Sequence, residues 1–294
     1  MTEPEGGASE QSREREAAEA GAQMSLWPAN GETTPAGEAA QDDAQAAGPA
    51  WTLADLGAFV LFAAFALPAA FFATAIIFVG LRQVFGWELS VEEAFMRAPA
   101  AVMMQTTWEG LWLAFIYFTV TVKYRREFWE ALHWTRGTGG DIHPMLRPRN
   151  WVAGGALLAL AAQFYFLVAP SDTEVPIDRM LTDPLAGYVL AAFGILVAPF
   201  IEELVFRGYV YPVFEHLWGL HAAALLTALL FALIHLPQLW GGWEYILVIF
   251  AAGAAFSYAR GKTGSLVPAY LLHLGYNTAL FVLLYVSTAG FRTL

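Results

Sequence analysis

The residues able to do chemistry lie in one oily part of the chain. "PFIEELVFRGY", residues 199 to 209, sets Glu202, Glu203 and Arg207 among apolar neighbours. "FALIH" ends on His235, and "HLGYN" carries His273 and Asn277. A charged group inside a membrane costs about 2.5–3.5 kcal/mol on insertion scales, so such groups face a cavity or a partner. Glu203 and Arg207 are four apart, share a helix face and can pair. Glu202 is rotated by about 100° from Glu203 and cannot easily share that guanidinium. One carboxylate is thus neutralised and one is left over. A left-over carboxylate can activate water, an imidazole can assist it, and His and Asn donors can hold a developing oxyanion. This set fits hydrolysis of an amide bond. The same side chains could instead bind a divalent metal such as zinc through Glu202, His235 and His273, with water in an open position. Spacing leaves both readings open.

Other hydrolytic chemistries lack their residues. The chain has no cysteine, which removes thiolate nucleophiles, thiolate zinc sites and disulfides. HExxH and GxSxG are absent, and with them the usual zinc-protease helix and nucleophile elbow. No Asp is counted inside a span, which argues against a paired-aspartate mechanism.

The elements that position these residues are helices. Gly219 is a natural turn: Glu203 lies 16 residues before it and His235 lies 16 after it. A helical hairpin bent there brings the two to one level, because each helix rises about 1.5 Å per residue. Pro212 can kink the first arm. His273 and Asn277, four apart, share a face of a later helix that begins near Pro268. The polar site is therefore expected from helices near 184–217, 221–237 and 265–289. Glu109, in "QTTWEGLW", stands apart as a residue that could cap, pair or line the same cavity.

The composition requires a membrane for these helices. Hydrophobic residues make up 57% of the chain and charged ones only 14%, against about 25% charged in soluble domains. The mean hydropathy is +0.49. About seven runs are long enough to cross a bilayer, near 53–80, 98–122, 151–169, 184–206, 221–237, 243–259 and 265–289. The expected fold is an all-α polytopic membrane protein over 51–294. Lys123, Arg125, Arg126, Arg136, Arg147 and Arg149 cluster between the second and third runs, which places that loop and the N-terminus in the cytoplasm. "KYRREFWEALHW" reads as a short interfacial helix. Residues 1–50 hold ten acids and two bases, with few large apolar residues, and read as a disordered acidic cytoplasmic tail whose partner is unknown. Nothing points to nucleic acid.

Taken together, "EELVFR", "FALIH" and "HLGYN" match EExxxR, FxxxH and HxxxN in order on successive apolar segments. Over about residues 180–285 the chain resembles the CPBP family of intramembrane proteases, which includes Rce1-type CAAX prenyl proteases and bacterial Abi proteins. The resemblance implies an endopeptidase of a bacterial cytoplasmic membrane that cuts a membrane-associated protein or peptide. By motif position it makes Glu202 the general base, with His235 assisting, His273 and Asn277 as oxyanion donors, and Glu203 held by Arg207. A glutamate mechanism is favoured over a metal because the ligand set lacks a third good nitrogen or thiolate donor. Two competing readings are a non-catalytic immunity or scaffold protein that keeps the fold, and a transporter or proton relay. The latter would show inverted repeats, which the sequence lacks.

Overall fold

The computed structural model describes residues 48–86, 88–134, 147–171 and 173–293. The acidic tail up to residue 47, and Arg136 in the basic loop, lie outside the described residues. Residues Pro49–Leu294 form one unit, and its regular elements are helical. In chain order they are α1 (Leu53–Phe85), α2 (Val91–Phe95), α3 (Ala98–Tyr117), α4 (Phe128–Ala131), α5 (Pro148–Val168), α6 (Pro184–Ala192), α7 (Ala198–Glu203), α8 (Tyr211–Leu233), α9 (Trp243–Thr263) and α10 (Leu266–Ser287). Wider, π-helical turns extend α3 over Phe118–Lys123 and join α6 to α7 over Phe193–Val197 and α7 to α8 over Leu204–Val210.

Helices cover all seven apolar runs. Among the described residues, four helical stretches are long and apolar enough to cross a membrane: Leu53–Phe85, Pro148–Val168, Pro184–Leu233 and Leu266–Ser287. The chain is an integral membrane protein. Its outward side chains fit that solvent, since Phe65, Ile76 and Leu167 are 76%, 72% and 76% exposed and would be costly in water. The remaining long helices, α3 and α9, carry Gln105 and Glu109, and Glu244, Arg260 and Lys262.

One sequence expectation needs correction. Asp55 does lie within a span, in the first turn of α1. It is buried there because the end of the helix supplies partners: the Thr52 backbone N–H at 2.9 Å, the Tyr124 hydroxyl at 2.7 Å and the Lys123 ammonium. The carboxylate closes a capping box with Thr52 and ties the start of α1 to the end of α3. It is far in sequence from the glutamate pair and forms no aspartate dyad. The interfacial helix expected in "KYRREFWEALHW" shrinks to the four residues of α4. Trp134, just after it, turns inward onto Phe200 and Tyr270.

The hairpin that positions the site bends at Gly219, whose φ of 73° and ψ of 172° break α8. A positive φ is nearly free for glycine and costly for other residues. On either side of the bend the arms run back along each other, so the Phe206 ring meets Phe231 at 5.3 Å. That register is the one expected from equal spacing about Gly219. Pro212 opens α8 within its first turn, where a missing N–H is tolerated.

A second junction fixes α10. It packs along α5 at a crossing where neither helix has room for a side chain. A Cβ on Gly155 would stand 1.9 Å from the Leu272 carbonyl oxygen, and one on Gly275 would stand 2.1 Å from that of Val152. Small residues at helix contacts let backbones approach closely in a membrane, where association relies on packing. His273 and Asn277 flank this contact.

Candidate functional site

The glutamate pair sits between two π-helical turns, and a proline follows each. Two residues beyond Val197 comes Pro199, and two beyond Val210 comes Pro212. In the first turn the Ala198 N–H reaches back to the Phe193 carbonyl. Continuing that i→i−5 pattern, Pro199 would serve Gly194, but proline has no N–H. The Gly194 carbonyl therefore lacks a partner in its own helix. Asn277 supplies one, its Nδ2 donating to that oxygen at 2.7 Å. The amide's second N–H remains available to the cavity.

Glu202 and Glu203 are treated differently, as their helical offset requires. Glu203 is fully buried. Its Oε1 accepts from Arg207 at 2.8 Å and from His273 Nδ1 at 2.9 Å. Arg207, also fully buried, spends its other donors on the Gly253 carbonyl at 2.7 Å and the Ser257 hydroxyl at 3.1 Å. Its guanidinium lies over the Phe231 ring, 4.5 Å from the centroid, a favourable cation–π geometry. Glu202 has no such cation. His273 Nε2 lies 3.6 Å from its Oε2, beyond hydrogen-bond range.

The imidazoles can be assigned from their partners. His235 lies just past α8 in a turn, because Leu236 precedes Pro237 and that position disfavours helix. His235 Nδ1 contacts the Phe231 carbonyl at 2.8 Å. A carbonyl only accepts, so Nδ1 carries the hydrogen and Nε2 is the free nitrogen. His273 is clamped: its ring stacks on Phe256 at 4.7 Å and meets the Phe231 edge at 5.6 Å. With Nδ1–H donated to Glu203, its Nε2 points toward Glu202.

These groups meet at one cavity of about 350 Å³, lined by Glu202, His235, His273, Asn277 and Gln105 among mostly apolar walls. Of the residues expected from sequence, Glu203 and Arg207 lie behind this lining as its support. Glu109 is buried one helical turn from Gln105 and accepts from its Nε2 at 2.9 Å. Among the described residues, no three His, Asp or Glu side chains converge closely enough to hold a metal ion. No step below uses a metal. Sequence reasoning missed Gly194, Gly253 and Ser257. Pro199, five after Gly194, was a signal for the first; small residues four apart in "GAAFS" were one for the others.

A family model described as type II CAAX prenyl endopeptidase Rce1-like matches residues 184–279, a range that contains all six motif residues. UPF0177 protein YbdI of Lactococcus lactis is 35% identical over 141 residues, spanning 45% of this chain and 74% of that protein. No solved structure matches. The chain belongs to the Rce1-like type II CAAX prenyl endopeptidase (CPBP) family, with that domain at residues 184–279. The family is one of proteases, which implies a protein substrate.

Proposed function

We propose that the protein is an intramembrane endopeptidase that cuts a membrane-proximal peptide bond with water activated by Glu202. The observation that carries this reading is the asymmetry of the pair. Glu203 is committed through its Oε1 to Arg207 and His273, whereas Glu202 faces the cavity without a bonded cation. Only an uncommitted carboxylate can take a proton.

Glu202 removes a proton from water as the oxygen attacks the scissile carbonyl carbon. The resulting oxyanion is met by the free N–H of Asn277, which Gly194 holds in orientation. His273 Nε2 can donate to the oxyanion only when its ring carries both protons. The proton on Glu202 then passes to the amide nitrogen as the C–N bond breaks, releasing an amine and a carboxylic acid, whose proton moves to the amine to leave an ammonium and a carboxylate, and restoring Glu202. His235, with Nε2 free, assists this transfer or orients the water. Seven helical crossings, a cytoplasmic N-terminus and a bacterial cytoplasmic membrane complete the proposal.

The test is peptide cleavage by purified, metal-stripped protein, with and without added zinc. Activity is expected to survive stripping and to fall at least about 10²-fold in Glu202→Gln, the lower range for a general base. Activity that returns only with zinc, or that persists in Glu202→Gln, overturns the mechanism.

A further inference from the structure

Outside the motif helices, α3 places a polar pair beside the cavity. Gln105 lines it and donates its Nε2 to Glu109 Oε1 at 2.9 Å. Glu109 is only 2% exposed, and its Oε2 is buried without a hydrogen-bond partner. A buried acid in a membrane helix is costly, and one amide donor reaches only one of its two oxygens. Gln105 shares the cavity lining with Glu202, His235, His273 and Asn277, none of which bonds to the pair in the contacts described above.

The Gln105–Glu109 contact has a directional consequence. With Nε2 turned back to Glu109, the Gln105 carbonyl oxygen must point the other way, and it is an acceptor. The polar groups already assigned at the cavity are suited to the scissile carbonyl and to water. None is assigned to the N–H groups of an extended peptide, each of which must be satisfied once water is excluded. We infer that Gln105, oriented by Glu109, is a substrate-positioning residue that accepts a backbone N–H of the bound peptide. Glu109 acts through Gln105. The inference rests on the cavity being a peptide site.

The test uses full-length protein in nanodiscs and a pool of N-palmitoylated, quenched-fluorescence decapeptides of random sequence. Retention of the pool is measured on a Glu202→Gln background, and KM and kcat on an otherwise unchanged one. Gln105→Met is expected to weaken retention and raise KM about three- to tenfold with kcat nearly kept, the effect of one net hydrogen bond in uniform binding. Glu109→Leu should match it, because Gln105 loses its anchor, and Glu109→Gln, which keeps an acceptor, should restore near-normal KM. Thr106→Val, whose hydroxyl bonds only its own helix at Val102, should change neither constant. If Gln105→Met does not fold, Gln105→Asn, too short to reach Glu109, replaces it. Unchanged retention and KM, a fall confined to kcat, or no retention of the pool by any form overturns the inference. Cleavage that persists in Glu202→Gln overturns the mechanism proposed above while leaving the retention comparison intact.

Discussion

Replacing Arg207 by Met removes a charge that four neighbours share. Arg207 and Glu203 are both fully buried, and the guanidinium also serves Gly253, Ser257 and the Phe231 face. Breaking a buried pair by removing one partner costs about 3–5 kcal/mol, because the surviving charge stays in low dielectric without compensation. That is a large part of a native stability of about 5–15 kcal/mol. The companion variant is the double Arg207→Met, Glu203→Gln. It removes the orphaned charge yet keeps an acceptor for His273 Nδ1, and it should recover about 2 kcal/mol, within the usual coupling of contacting groups. Reversible denaturation of the purified protein, run as a double-mutant cycle, gives both numbers. A single-variant cost below about 1 kcal/mol, or a double variant no more stable than the single, would refute the claim that this pair is a buried structural clamp.

Asn277→Leu should cost about 1 kcal/mol, the low end of the penalty for leaving the part-buried Gly194 carbonyl without a donor, and unfolding measurements check it. Gly275→Ala places a methyl where the Val152 carbonyl oxygen stands at 2.1 Å; the helices must part, with a loss of about 1–3 kcal/mol and loosened cross-linking between engineered cysteines on α5 and α10. Asp183, at the start of α6 and outside the spans, accepts the Ala186 N–H at 2.9 Å, and that bond holds its carboxyl below its ordinary range. Its stabilisation is therefore present above the unfolded value of 3.8 and lost as pH falls through the lower folded value. Asp183→Asn should flatten that acid limb of the stability curve.

The helical class and the pairing inside the site were legible because they depend on spacing. Four residues separate Glu203 from Arg207, and equal counts flank Gly219, so a helix and a turn were enough to relate them. What was not legible depends on approach across elements. Nothing local shows that Asn277 answers a carbonyl orphaned by Pro199, since the two lie on different helices and the wider turn at Phe193–Val197 has no strong sequence signature. Ser257 and Gly253 carry only the weak signal of small residues at helical spacing, because their function is to be small and to offer one oxygen each to Arg207. Asp55 was overlooked because a hydropathy window averages it away, while the end of α1 gives it Thr52, Tyr124 and Lys123. Glu109 was noticed as an outlier, but its link to Gln105 becomes informative only once Gln105 is seen on the cavity wall.

The crossing of α5 and α10 has a mechanical consequence. Each helix presents a backbone carbonyl where the other's first side-chain carbon would stand, so sliding either one drives main chain into main chain. The two behave as a single strut, and the imidazole and amide carried by α10 ride on an anchored frame. The same cavity is also lined by residues outside the long helices. There Ile177, in the short turn Pro176–Met180, is tied to Gln238 by a backbone bond of 3.1 Å, and both residues line the cavity. Compliance on that side and stiffness on the other would let the pore deform around a substrate while the reacting groups keep their aim.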